Sequence, residues 1–276
     1  MNVLALCAGV GGLELGVRIA EPAAHAVCYV EREAYAAAVL VARMEDGSLA
    51  PAPVWPDLAT FDGRPWRGVV DLVTAGYPCQ PESLAGTRRG EGDERWLWRE
   101  VWRVIREVGP RHVFLENVSG HLSGTFGRVV GDMAASGWRV EWDCIPAAAV
   151  GAPHIRDRVF ILAADPDHAG WKSDAERRQS ARPGWTGVHG GCGVAADADC
   201  IVGDAGSGPA RAECAGRAES FGDYWRRVEA PEPAIRRVDD GPANRVDRLR
   251  ALGNGVVPQA AARAWRVLWD RMTEAA

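Results

Sequence analysis

No apolar run in the 276-residue sequence approaches the roughly 20 residues of a membrane-spanning helix, so no such span is expected. The opening stretch, MNVLALCAGVGGLELGV, lacks the basic start and small-residue cleavage site of a secretory signal. It reads instead as a strand followed by a glycine turn, and a cytoplasmic protein is expected. Paired cysteine spacing is missing too. The seven cysteines, Cys7, Cys28, Cys79, Cys144, Cys192, Cys200 and Cys214, form no CxxC pair and no Cys/His metal pattern. That argues against a zinc site and against a disulfide framework. Net positive charge is absent as well: at −5 the chain is not marked as a general polyanion binder. Arginine is nonetheless clustered, at Arg88–Arg89, Arg177–Arg178, Arg226–Arg227 and Arg236–Arg237. Such pairs suit solvated faces as well as phosphate contacts, so charge alone does not indicate nucleic acid.

What is present is the balance of an ordinary folded domain, 47% apolar and 25% charged residues. Up to about residue 163, short apolar runs alternate with amphipathic stretches. The strand candidates are residues 2–7, 26–30, 69–76, 112–117, 138–145 and 158–164; the helix candidates are 14–20, 33–45 and 95–108. Strands separated by helices predict an α/β fold with a doubly wound, mostly parallel sheet, and ligands at the carboxyl ends of its strands. Residues 165–235 are rich in Gly, Ala, Asp, Arg and Pro and have little to bury. Apolar character resumes at Val246, and a helix is expected over 258–272. The layout expected is a main domain over 1–163, a small loop-rich lobe over 164–244, and a segment, 245–276, that returns to the main domain.

Three stretches at expected strand ends carry chemistry. The turn Ala8-Gly9-Val10-Gly11-Gly12 lets a ligand approach the backbone and exposes helix N-terminal amides. Glu31 follows about 20 residues later, at the next strand end, where a carboxylate grips ribose hydroxyls or else serves a helix N-terminus. Together they favour an adenosine-bearing ligand. In Gly76-Tyr77-Pro78-Cys79-Gln80-Pro81, a cysteine between two prolines is held on a stiff loop facing the crevice. It is a thiolate nucleophile or a structural cysteine; the loop alone leaves both open. Glu116-Asn117-Val118 ends a further strand, where a carboxyl serves as general acid, ligand contact or helix cap. Arg156 and Arg158 flank Asp157, and strand alternation would point both to one face, for a phosphate, a base carbonyl or a salt-bridge ladder.

GYPCQP at 76–81, ENV at 116–118, the RxR of Arg156 and Arg158, and LGNGVVPQ at 252–259 stand in the order of the DNA cytosine-5 methyltransferases, which this chain resembles. The glycine turn and Glu31 also fall in place; the resemblance covers residues 1–163 and about 245–276. It implies a Rossmann-like class I methyltransferase fold, S-adenosylmethionine as methyl donor and double-stranded DNA as partner, with no metal, no membrane and a monomeric state. It further implies that Cys79 adds to carbon 6 of a flipped cytosine, Glu116 holds ring nitrogen 3, and Arg158 with Arg156 orients the base. Ala8, Gly9, Gly11, Gly12, Glu31, Asp57, Leu58, Pro78 and Asn254 would line the cofactor pocket. The chain departs from the family at Ala5 and Cys7, where aspartate and phenylalanine are usual, at Glu82, where phenylalanine is usual, and at His154 in place of a glutamine. The competing readings are an RNA cytosine methyltransferase of the same fold, a nucleic-acid-binding homologue with catalysis weakened by Glu82, and transfer of another group from a modified sulfonium donor. A nicotinamide dehydrogenase would leave PCQ and ENV unexplained. A lobe this short predicts a short or degenerate recognition site.

Overall fold

The computed structural model describes residues 1–78, 97–123, 125–165 and 251–274. All of these fall in one compact unit. Cys79, Glu82 and the expected 164–244 lobe beyond Asp165 lie outside the described residues.

Seven strands form one sheet: β1 (Asn2–Leu6), β2 (His25–Val30), β3 (Val54–Trp55), β4 (Leu72–Ala75), β5 (His112–Val118), β6 (Arg139–Pro146) and β7 (Asp157–Ala164). Their order is β3-β2-β1-β4-β5-β7-β6. β1 to β5 pair in parallel, and β7 runs antiparallel between β5 and β6. The doubly wound, mostly parallel sheet is therefore present. The two-residue β3 was too short to show as an apolar run. The chain reverses its direction of travel between β1 and β4, so the crevice of this sheet opens above their carboxyl ends.

Helices cover both faces. α1 (Gly12–Ala20), α2 (Ala34–Glu45) and α5 (Pro258–Glu274) lie on one face, α3 (Trp98–Val108) and α4 (Phe126–Ala135) on the other. α3 shows why the residues fold as they do. Val101, Val104, Ile105 and Val108 recur at helical spacing and are fully buried, and Gly109 ends the helix at φ 60, just before Pro110. Strand alternation sorts the core. Leu4, Leu6, Val73, Ala75 and Leu115 point to the α3 face, while Val3, Leu72, Phe114 and Phe160 meet Trp265 and Leu268 of α5.

The C-terminal segment packs tightly on α1. A Cβ on Gly16 would lie 2.5 Å from the Ala261 Cβ, and one on Gly12 would lie 2.5 Å from the Val256 carbonyl oxygen. Glycine at these positions lets residues 256–261 approach the backbone of α1. Among the described residues, no helix is long and apolar enough to cross a membrane.

Candidate active site

The glycine turn is built around Glu31. Gly9 takes φ 56 and Gly11 φ 79, left-handed values that suit glycine. The Gly9 N–H donates to Glu31 Oε2 at 2.6 Å, and the Glu33 N–H donates to Oε1 at 2.7 Å, so both carboxyl oxygens are held by backbone. Ala8 is buried and its N–H donates to Val30 O at 3.1 Å, which ties the turn to the end of β2. A Cβ on Gly9 would meet nothing within 4 Å. The turn is thus open toward the crevice at Gly9, while Gly11 is closed by Leu49 and Leu40 and Gly12 by Val256.

Beside this turn, Asp57 Oδ1 accepts from the Ala59 N–H at 3.0 Å and caps a short 3-10 turn, Leu58–Thr60, in which Leu58 is buried. Pro78 and Asn254 are exposed. Cys7, at φ 50, is partly buried; burial first, then the Glu31 charge, pushes its thiol up to about 12. The shift is toward the neutral thiol.

A second cluster stands where β4, β5 and β7 meet. Ala75 pairs with Leu115 in register, which sets Gly76 beside Glu116; a Cβ on Gly76 would lie 3.6 Å from Glu116 Oε2. Glu116 pairs with Phe160 and Val118 with Arg158, so alternation puts the Glu116 and Arg158 side chains on the α5 face as diagonal neighbours. They form an ion pair, Arg158 Nε to Glu116 Oε1, at 2.9 Å. Burial pushes the Glu116 carboxyl up to about 7, against the pull of Arg158 and Arg156. A carboxyl so placed exchanges a proton near neutrality.

Asn117, absent from the candidate roles above, holds the cysteine loop. It is buried and donates from Nδ2 to the Tyr77 carbonyl at 3.1 Å, while its Oδ1 accepts the Val118 N–H at 2.9 Å. The buried Tyr77 hydroxyl is hydrogen-bonded to His121 Nε2 at 3.1 Å. The chain leading into Cys79 is therefore fixed by both its backbone and its ring.

Arg156 differs from the expectation of alternation. It precedes β7 at φ 42, in a left-handed conformation, so the strand periodicity does not apply to it. Its Nη2 donates to Gly253 O and Gly255 O, each at 2.6 Å. The two arginines of the RxR face different partners: Arg158 the buried carboxyl, Arg156 the C-terminal segment.

Comparisons with known proteins identify the family and the fold. A family model described as C-5 cytosine-specific DNA methylase matches residues 1–183. This chain belongs to that family. Similar curated proteins include the type II methyltransferase M.NgoMIV of Neisseria gonorrhoeae, 34% identical over 58% of this chain and 50% of its own length. The type II methyltransferase M.CviJI of Paramecium bursaria Chlorella virus IL3A is 36% identical over 60% of this chain and 44% of its own. The chain spans about half the length of these relatives. Among solved structures, the Entamoeba histolytica methyltransferase EhMeth matches with a TM-score of 0.50 at 16% identity, over 59% of this chain and 52% of that one. That likeness concerns the fold, a Rossmann-like α/β methyltransferase fold.

Against the usual C-5 methylase pattern, the departure at Ala5 has a neighbour that sequence reasoning missed. Ala5 is fully buried and pairs in register with Thr74, whose hydroxyl donates to Glu14 Oε1 at 2.7 Å. Glu14 reaches this spot from α1, placing a carboxyl group beneath the glycine turn, one strand position from Ala5. Burial pushes it up to about 7. Its Oε2 is buried with no hydrogen-bond partner. The only signal in the sequence is an acid on an otherwise apolar helix face. His154, a further departure, is exposed.

Proposed function

We propose that this protein transfers a methyl group from S-adenosylmethionine to carbon 5 of cytosine in DNA. The observation that carries the reading is the Glu116–Arg158 pair beside Gly76, with a carboxyl held near neutral pH at the entrance of the loop that bears Cys79.

The donor fits the first cluster. The open face of Gly9 admits a ligand against the backbone, and Glu31, fixed by two N–H groups, presents a carboxylate to ribose hydroxyls. Ala8, Gly9, Leu58, Asp57 and Pro78 are the further residues that would hold the donor. When bound, S-adenosylmethionine supplies an electrophilic methyl carbon.

The chain's own residues make cytosine able to take it. Carbon 5 is a poor nucleophile until the Cys79 thiolate adds to carbon 6, which gives the ring enamine character. The electron density moved toward ring nitrogen 3 is met by the Glu116 proton. Arg158 holds the Glu116 carboxyl in place and faces the base carbonyl. Once the methyl group is on carbon 5, loss of the carbon 5 proton to water expels Cys79 as thiolate, and return of the nitrogen 3 proton to Glu116 restores the neutral aromatic ring. A stacked base cannot reach the pocket, so the target is flipped out, at a few kcal/mol of unstacking.

The test is incubation of the purified protein with S-adenosylmethionine and double-stranded DNA, followed by nucleoside mass spectrometry. 5-Methylcytosine should form with the natural chain and be absent with Cys79→Ala. Methyl groups on adenine or on cytosine nitrogen 4, or 5-methylcytosine formed equally by Cys79→Ala, would refute the reading. Mapping the modified bases should show a short or degenerate site.

A further inference from the structure

Arg156 has a geometry that a base-contacting arginine does not need. It sits at φ 42, a backbone conformation unfavourable for a residue with a Cβ, and such strain persists only where the surroundings hold it. Both N–H groups of Nη2 are committed, to Gly253 O and Gly255 O at 2.6 Å. Its Nε is buried with no partner among the described residues, and burial first, then the neighbouring Arg158 charge, disfavours a cation there. A partly buried guanidinium in a left-handed backbone conformation is held there by the two carbonyls it grips.

What it holds is the segment that covers the glycine turn. Gly255 N–H donates back to Ala251 O at 2.8 Å, closing a turn whose next residue, Val256, lays its carbonyl against Gly12. Gly255 itself approaches Val10, so Gly255 and Val256 pack against the glycine turn at Val10 and Gly12. Arg156 therefore joins two stretches 97 and 99 residues apart in sequence.

We propose that Arg156 is a positioning residue: it latches residues 253–256 over the glycine turn, so that cofactor affinity depends on it more than the base step does. The cofactor half of this statement rests on the function proposed above; the latch itself does not. Arg158 keeps the contact with Glu116 and carries the demands of the base.

Hydrogen–deuterium exchange on the full chain tests the latch without any ligand. Arg156→Gln should speed exchange in a peptide covering 251–257 by at least about tenfold, the scale of a single charge-assisted hydrogen bond, and leave β5 and β7 unchanged. Equilibrium binding of S-adenosylmethionine should weaken by about tenfold, with kcat at saturating cofactor within about threefold of the natural enzyme. Arg156→Lys, which keeps the charge beside Glu116 but not the fork of donors, should fall between the two. Unchanged exchange at 251–257 in both variants, or a fall in kcat with cofactor affinity intact, would overturn the proposal. Should Arg156→Gln speed exchange throughout the chain, the Lys variant decides: unchanged exchange at 251–257 there overturns it, and locally faster exchange supports it. Failure of the natural chain to bind S-adenosylmethionine would strike the proposed function and leave the exchange result to judge the latch.

Discussion

Glu14 and Glu116 are both held near neutrality by burial, yet they have different uses. Glu116 has Arg158 at 2.9 Å and an open neighbour in Gly76. In the proposed reaction its proton would meet the target ring, so Glu116→Gln should lower kcat by at least about 100-fold, the usual scale of a lost proton-transfer group. A single-turnover assay at saturating DNA would check this. Glu14 has the Thr74 hydroxyl and its own backbone N–H acting on the carboxyl, and among the described residues its Oε2 has no hydrogen-bond partner. Its folded pKa of about 7 lies above the value in an unfolded chain. The neutral form therefore favours folding below about pH 4.5, and that contribution is lost as pH rises through about 7. Glu14→Gln keeps an acceptor for Thr74 and cannot ionise. It should be more stable than the natural chain at pH 8 by roughly 1–3 kcal/mol, and no more stable at pH 4.5. Urea denaturation at the two pH values reads this directly; an equal change at both would show that burial of the charge is not the cause.

At the scale of elements, the site depends on how closely neighbours approach. Gly12 admits the Val256 carbonyl, a backbone atom that cannot swing aside. Gly12→Ala should destabilise by about 1–3 kcal/mol, the usual cost of overpacking. Gly127, in α4, has nothing within 4 Å of its would-be Cβ, so Gly127→Ala should be neutral or stabilising by up to about 1 kcal/mol. Thermal melts of the pair separate packing from mere loss of glycine. Asn117 acts between elements too. Asn117→Asp would face the Tyr77 carbonyl with an acceptor where a donor stood, and should cost about 1–3 kcal/mol while lowering kcat more than it raises the KM for cofactor.

How far these features could be read from the sequence follows from their range. The strand-end positions of the glycine turn, Glu31 and Glu116 follow from local pattern, because apolar runs mark strands and what comes next faces the crevice. Arg156 did not follow that rule: alternation presumes an extended backbone, and its partners at 253 and 255 are nearly a hundred residues away. Glu14 is legible only once β4 is known to lie beside β1, which places Thr74 next to Ala5. The roles of Gly12 and Gly16 likewise needed the return of α5, since a glycine turn alone does not say whether a ligand or another backbone fills the space.

For the whole molecule, one sheet brings two clusters to one edge: a carboxylate-braced glycine turn at β1 and β2, and a near-neutral carboxyl with its arginine at β5 and β7. Between them the chain passes through Gly76 and Pro78 to Cys79. Membership of the C-5 cytosine-specific DNA methylases, together with these two clusters, is what the proposed covalent catalysis by that cysteine rests on. The most direct test is trapping on double-stranded DNA carrying 5-fluorocytosine, in the presence of S-adenosylmethionine. Fluorine at carbon 5 cannot leave as the proton does, so the natural chain should form a denaturant-stable adduct mapping to Cys79, and Cys79→Ala should form none. DNA binding without any adduct, or an adduct that persists in Cys79→Ala, would contradict the account.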